Sequence, residues 1–398
     1  MKLVEQHIIK KHNEHYKELD NLCFLSKNLY NSTLYNIRQY YFNNKTYLNV
    51  YENINNFTKN KQQDYIKLPA KVSQQIMFLV DKNFKSFFSL LKKKQNGLYK
   101  EKINIPKYLN KNSRFILIYT NQCISSKELK KGIIKLSGTN LKIKTDKKNI
   151  CQVRIVHKNN YIVIEIIYNI KEKSLKKDNN RYCSIDLGVN NLTTMTSNVI
   201  KPIIINGRPL KSINQYYNKK YSILKSDLKI KHNKYESNRI KSLIRTRNNK
   251  VKDYMHKTSR YIVNQLAFNN INTLIIGKND GWKQETNMNR VNNQNFVNIP
   301  FNLLINILKY KCRLSGIEVI MVNESYTSKC SFIDNEPIKK HTEYKGARIK
   351  RGLFKSAKGE LINADVNGSL NIMRKVIPNA LDRYGIEVYS APIVLTIK

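Results

Sequence analysis

The stretch Tyr182-Cys183-Ser184-Ile185-Asp186-Leu187-Gly188 constrains this chain more than any other. Tyr182 to Ile185 reads as a short buried strand, and Asp186 stands at its end. Gly188, Asn190 and Asn191 supply turn chemistry, and Leu192 to Thr196 alternates like a returning strand. A carboxylate at the core end of a hairpin's first strand either caps the turn or serves a ligand that needs oxygen. Two later stretches repeat the arrangement. Gly316 to Val322 is an apolar strand running into Glu324, and Asn363-Ala364-Asp365 opens a helix with a carboxylate. Hard divalent cations take oxygen ligands, and two such ions clamp the attacking and leaving oxygens of a phosphodiester.

The segments between these carboxylates predict a mixed α/β unit. Leu274 to Gly277 reads as a buried parallel strand, Asn302 to Leu314 as a crossover helix, and Ile317 to Val322 as the next parallel strand. Both strands end on one sheet edge, where ligands of open α/β sheets gather. Ile213 to about Asn270 is helical in composition and dense in cations, among them Lys219, Lys220, Arg245 and Arg247. A charged face is usually only solvated, but few acids balance this one. His256, Lys257 and Arg260 close the segment and read as structural.

The first half has a different texture. Met1 to Ile9 predicts a strand. Tyr30, Leu34, Ile37 and Tyr41 recur at helical spacing. A polar, Asn-rich stretch then reads as a loop, and Pro69 opens a second helix. From Phe115 to Tyr168, short β-branched runs predict a small barrel, with Asn159-Asn160 as a hairpin turn.

Lys and Arg number 72 against 28 acidic residues, a formal net charge of +44 in 398 residues. That excess points to a polyanion, foremost nucleic acid. An anionic membrane is the weaker reading, since no basic amphipathic helix, lipidation signal or membrane-length apolar run stands out. Part of the Lys and Asn excess is what AT-rich coding would produce. The six cysteines form no C-x-x-C pair and read as reduced, buried thiols.

The segments SIDLGVNNLTT, GKNDGWKQ, NESYTSKCSF, RIKRGLF and NADVNGSLNI, in this order, resemble the TnpB (OrfB) family of transposon-encoded RNA-guided DNA nucleases, relatives of type V CRISPR effectors. The resemblance implies an RNase H-like (RuvC) nuclease domain at 180–324 and 364–377. It also implies a β-barrel wedge domain at 1–20 and 105–175, a helical recognition insert at 20–105, a nucleic-acid-binding insert at 325–363 and a tail at 378–398. It further implies Asp186, Glu324 and Asp365 as catalytic ligands of two Mg²⁺ ions, with Mn²⁺ as a substitute. The expected partners are a guide RNA and double-stranded target DNA. Lys219, Lys220, Arg245, Arg247, Tyr326, Lys329, Arg348, Lys350 and Arg351 are the expected nucleic-acid contacts. A cytoplasmic, nucleoid-associated monomer is expected.

Two departures matter. The commoner family pattern has its middle glutamate directly after the first parallel strand, where this chain has Gly277. Either the nuclease is inactive and the chain is an RNA-guided DNA binder, or Glu324 on the neighbouring strand takes the role. Asp280 is the fallback, and Glu318 stands at the wrong end of its strand. Second, many relatives carry a zinc site where this chain has only Cys330, with His341 nearby. One thiol and one imidazole do not fill a tetrahedral site, so no zinc is expected. A conventional transposase is a third reading; its glutamate would come last, against the order Asp, Glu, Asp here. Asn367 and Asn371 are further candidates to support the carboxylates.

Overall fold

Alternation of exposed and half-buried residues draws the first strand, β1 (Lys2–Lys10), out along the antiparallel partner that returns to it more than a hundred residues later. The computed structural model describes residues 1–398 except Asn159, Asp280, 282–288, 382–390 and Lys398, with backbone alone at Arg290 and Val291. The chain divides into two compact units, Met1–Lys171 and Glu172–Lys398.

In the first unit, β1 is followed by α1 (Tyr16–Asn44), α2 (Val50–Lys59), α3 (Gln63–Ile66) and α4 (Ala70–Gln95). Then come β2 (Leu117–Thr120), α5 (Ser126–Lys130), β3 (Ile133–Lys135), β4 (Lys142–Lys144), β5 (Ile150–Lys158) and β6 (Tyr161–Asn169). The stretch read as an Asn-rich loop holds α2 and α3. Asn49 caps α2, and Val50, Asn53, Ile54 and Phe57 bury one face at helical spacing. The strands pair in the order β1-β6-β5-β2, and β3 pairs with β4 alone. The expected barrel is therefore, among the described residues, an open four-stranded sheet with a separate ribbon. Asn159 of the proposed hairpin turn lies outside the described residues. Leu29, Leu34 and Ile37 of α1, Ile76 and Phe84 of α4, and Tyr119, Ile155 and Ile164 of the sheet share one core.

The second unit is built on β7 (Tyr182–Leu187), β8 (Asn191–Ser197), β9 (Ile203–Asn206), α6 (Arg208–His232), α7 (Asn238–Phe268) and β10 (Thr273–Gly277). It continues with α8 (Arg290–Asn298), α9 (Phe301–Leu314), β11 (Glu318–Val322), β12 (Ala347–Lys350), β13 (Leu353–Lys355), β14 (Leu361–Asn363), α10 (Ala364–Val376) and β15 (Ile393–Leu395). Its sheet runs β11-β10-β7-β8-β9-β15. β7, β10 and β11 are parallel, so all three end on one edge. The side-chain alternation of a strand assigns the two faces. Cys183, Ile185, Leu187, Leu274 and Ile276 pack with Met255, Ile262, Leu304 and Leu308 of α7 and α9. Tyr182, Ile204 and Ile275 pack with Leu370 and Ile372 of α10. Within the C-terminal tail, β15 pairs in parallel with β9. No described helix is long and apolar enough to cross a membrane.

Candidate active site

Strand alternation puts Asp186 on the α10 side of the sheet together with Tyr182 and Ser184. Ser184 fixes this face to the helix: its hydroxyl donates to the Ser369 carbonyl at 2.7 Å and lies 2.7 Å from Thr196 Oγ1. Asp186 then rests against Gly368, where a Cβ would lie 3.0 Å from Asp186 Oδ2.

Asp365 lies in the first turn of α10. The cap is supplied by Asn363, whose side chain accepts from the N–H groups of Asp365 at 3.0 Å and Val366 at 3.2 Å. The Asp365 carboxylate is thus spared for other partners. Oδ2 accepts from Asn191 Nδ2 at 2.6 Å and Oδ1 from Arg348 Nη2 at 3.0 Å.

Glu324 follows β11. Asn279 Oδ1 accepts its backbone N–H at 3.0 Å, and its own carbonyl accepts from the Thr327 hydroxyl at 2.8 Å. Its Oε2 lies 3.1 Å from where a Cβ of Gly277 would stand, and that Cβ would also run into Ile372 Cδ1. The missing side chain at 277 is the space that Glu324 enters. Asp365, Gly368 and Ile372 fall at i, i+3 and i+7 on α10, so one helical stripe borders all three carboxylates.

The electrostatics agree with a gathered acidic site. Asp186 is pushed well above the ordinary carboxylate range, first by burial, then by the negative charges of Glu324 and Asp365, with Arg348 pulling the other way. Burial raises Glu324 to about 7. Glu324 Oε2 is buried with no hydrogen-bond partner. An oxygen-only donor set with an orphaned carboxylate oxygen has the chemistry of a hard-cation site. Nevertheless, among the described residues no three His, Cys, Asp or Glu side chains are drawn close enough to hold an ion. Both Asp365 oxygens are already taken by Arg348 and Asn191.

The other sequence candidates separate. Lys219 and Lys220 are exposed on α6, and a cleft of about 730 Å³ between α6 and α7 is lined by Tyr216, Tyr217, Lys220, Arg239 and Lys250. Arg247 is not a free surface cation. It donates to Asn214 Oδ1 at 2.7 Å, Asn248 Oδ1 at 3.0 Å and the Asn298 carbonyl at 2.9 Å. Arg245 is half-buried on the same helix. Tyr326 is partly exposed in a left-handed conformation, φ 68°. Lys329 lies over the Tyr344 ring at 5.8 Å. Arg348, Lys350 and Arg351 sit on the ribbon β12-β13-β14 and its turn. With its amide oxygen turned toward Arg351, Asn190 accepts from Nη2 at 2.7 Å and Nε at 3.2 Å.

Asn367 and Asn371 make no hydrogen bond to the carboxylates. They bind the 327–332 loop, Asn367 through the Cys330 carbonyl and the Phe332 N–H, Asn371 through the Thr327 and Cys330 carbonyls. The Cys330 thiol donates to the Pro337 and Lys339 carbonyls, and His341 Nε2 lies 2.7 Å from the Pro337 carbonyl oxygen. Asp280 lies outside the described residues. Sequence reasoning missed Asn279, Lys375, Gly368 and the contact role of Asn191. Lys375 Nζ holds the Asn323 carbonyl at 2.8 Å beneath Glu324. Gly368 was visible in NADVNGSLNI as a glycine inside a helix, a signal of close approach.

The fold, a carboxylate-edged mixed sheet in one unit and an antiparallel sheet with inserted helices in the other, is similar to that of two solved structures. A solved Cas12f1–sgRNA–target DNA complex matches over 89% of this chain and 82% of its own, with TM-score 0.54 at 14% identity. The mini-RNA-guided endonuclease CRISPR-Cas phi3 matches over 94% and 92%, with TM-score 0.50 at 10% identity. In sequence, a probable-transposase model, OrfB of the IS605 type, matches residues 165–283, and a Cas12f1-like TNB domain model matches 301–372. A TnpB-like protein of Methanocaldococcus jannaschii is 28% identical over 173 residues, covering 41% of this chain and 60% of that protein. Residues 165–283 and 301–372 are thus similar to OrfB-type and Cas12f1-like proteins respectively, and the matched stretch spans 60% of the length of the TnpB-like relative.

Proposed function

We propose that this protein is an RNA-guided DNA endonuclease with an RNase H-like nuclease unit. In this reading Asp186, Glu324 and Asp365 hold Mg²⁺, with Mn²⁺ able to replace it. The observation that carries the reading is the acidic edge on one stripe of α10. Two of its carboxylates have raised pKa values, and one oxygen, Glu324 Oε2, is buried without a partner. A buried carboxylate without a hydrogen-bond donor is costly unless it is protonated or meets a cation. Bound there, a divalent ion supplies Lewis-acid chemistry and a water-derived nucleophile at the phosphodiester.

The chain's own residues do the rest. Burial raises the proton affinity of Asp186 and Glu324, so a cation held there would compete with protons for both. Asn363 caps α10 so that the Asp365 carboxylate faces the site and not its own helix. Cations outside the acidic cluster bind phosphates: Lys219 and Lys220 on α6, and Lys350 and Arg351 on the ribbon. Within the molecule, residues 1–20 and 105–175 with the helical insert 20–105 act on guide RNA and its heteroduplex with the target strand. Sequence is then read by base pairing, and the protein reads backbone and shape. The 325–363 segment meets the target.

The test is cleavage of a guide-matched DNA duplex by protein, guide RNA and Mg²⁺. The expected result is guide-dependent breaks that Asp186→Ala and Glu324→Ala both abolish. Intact DNA with the wild type would refute the enzyme. Breaks that survive Glu324→Ala would refute the ligand assignment alone. A second reading, a nuclease-inactive RNA-guided DNA binder, is favoured by one observation, the lack of a closed three-acid grouping among the described residues. It predicts guide-dependent retention of DNA without breaks in the same reaction.

A further inference from the structure

We propose that Arg348 competes with the divalent cation for Asp365, so that the guide-free chain is held poor in metal. The inference rests on the proposed function, which makes Asp365 a metal ligand. Its own support is the disagreement between the donor set and its arrangement. The acids at this edge have the chemistry of a cation site, yet among the described residues no three such side chains are close enough to hold an ion. Both oxygens of Asp365 already have partners, Arg348 Nη2 at 3.0 Å on Oδ1 and Asn191 Nδ2 at 2.6 Å on Oδ2.

The ribbon is built to deliver that guanidinium. β14 runs directly into α10, so β12 and β13 are folded back beside the helix start, and Gly352 accepts the Ala364 N–H at 3.1 Å. The β12–β13 register shifts between Arg348 and Lys350, an irregularity that re-aims side chains at the ribbon's end. Arg351 grips Asn190 while its neighbour Asn191 grips Asp365. The ribbon thus holds both the β7–β8 turn and the α10 carboxylate. The guanidinium's positive charge also reaches Asp186.

The contact is reversible in kind. Arg348 is 47% exposed and Asp365 29%, and ion pairs this open to water are weak. A phosphodiester offers a guanidinium the same two-oxygen geometry as a carboxylate. Nucleic acid arriving at the ribbon gives Arg348 another partner, and Asp365 is then free to accept the cation.

The test is titration of guide-free protein with Mn²⁺, followed by the loss of the free-ion electron paramagnetic resonance signal. It compares wild type with Arg348→Gln, Lys350→Gln and Asp365→Asn. Lys350→Gln removes the same charge from the same exposed strand at a side chain with no carboxylate partner among the described residues. Arg348→Gln is expected to bind Mn²⁺ about fivefold more tightly, the equivalent of one exposed ion pair. Lys350→Gln is expected to change it much less. Equal tightening in both variants, or none in Arg348→Gln, overturns the competition. Mn²⁺ binding that survives Asp365→Asn unchanged would instead remove Asp365 from the metal site, and with it the ligand set of the proposed function. Near-ultraviolet circular dichroism confirms that each variant is folded.

Discussion

Two glycines, Gly277 and Gly368, lie against the carboxylates of this protein, and the second can be tested one atom at a time. Gly368 lies inside α10, where alanine favours the helix by about 1 kcal/mol. Its Cβ would meet Asp186 Oδ2 at 3.0 Å and Cγ at 3.7 Å. Gly368→Ala is therefore expected to leave the metal-free melting temperature unchanged or higher while reducing any further rise on adding Mg²⁺, if Asp186 is the ligand proposed above. A variant that melts lower without metal would show that the contact at Gly368 is purely steric. Glu324 offers a second test through pH. Its pKa in the fold, about 7, lies above the ordinary 4.5, so the folded chain holds the proton more tightly than the unfolded chain does. The stability due to that proton is complete below about 4.5 and is lost as pH rises through about 7. Its scale is at most about 3 kcal/mol. Without divalent cations, the urea midpoint should fall from pH 5 to pH 8. Glu324→Gln should flatten the fall but not abolish it, since Asp186 is raised in the same direction. If Mg²⁺ binds the ionised form, as proposed, it should restore most stability at the high end.

At the scale of elements, α10 organises the site. It is buried nearly all round, and its polar residues are spent on the neighbours that carry the acids. Asn371 Nδ2 donates to the Thr327 carbonyl at 2.9 Å and to the Cys330 carbonyl at 2.7 Å, tying down the loop just beyond Glu324. Asn371→Leu leaves both carbonyls without this donor. It should cost about 1–3 kcal/mol in chemical unfolding and speed amide exchange over 327–332. Exchange unchanged there would mean that the loop is held elsewhere. The same helix shows what the sequence could disclose. The β7–β8 hairpin, β10, α9 and β11 were legible because apolar periodicity and turn residues agree there. Asp186 and Asp365 were legible as element-end carboxylates. That Asn363, and not Asp365, caps α10 was not, because either side chain can fill that place. The ribbon was invisible. Its strands are three or four residues long, and β12 is fully exposed, so it has no alternation to read. β15 was missed because its partner, β9, lies far away in sequence and pairs in parallel. Gly277 read as a vacancy. Only packing turns that vacancy into room for Glu324.

At the scale of the molecule, charge decides between partners and coding bias. A net +44 spread by codon composition alone would leave cations scattered, and binding to nucleic acid would involve few of them. A chain adapted to RNA and DNA should engage many phosphates at once. Each neutralised phosphate steepens the fall of affinity with salt, by nearly one power of salt concentration on duplex DNA. Lys219 and Lys220 discriminate well because they are exposed side by side on α6 and make no ion pair among the described residues. The wild type should lose about a thousandfold or more in duplex affinity between 50 and 200 mM salt, as expected for six to ten phosphate contacts. The double variant Lys219→Gln, Lys220→Gln should lower the slope by about two if both side chains touch backbone. Arg247 provides the internal contrast, because its three hydrogen bonds lie within the fold. Arg247→Gln should lower stability and leave the salt slope near the wild type's. A slope unmoved by the lysine pair but lowered by Arg247→Gln would reverse this assignment and make Arg247, not the exposed lysines, the phosphate contact.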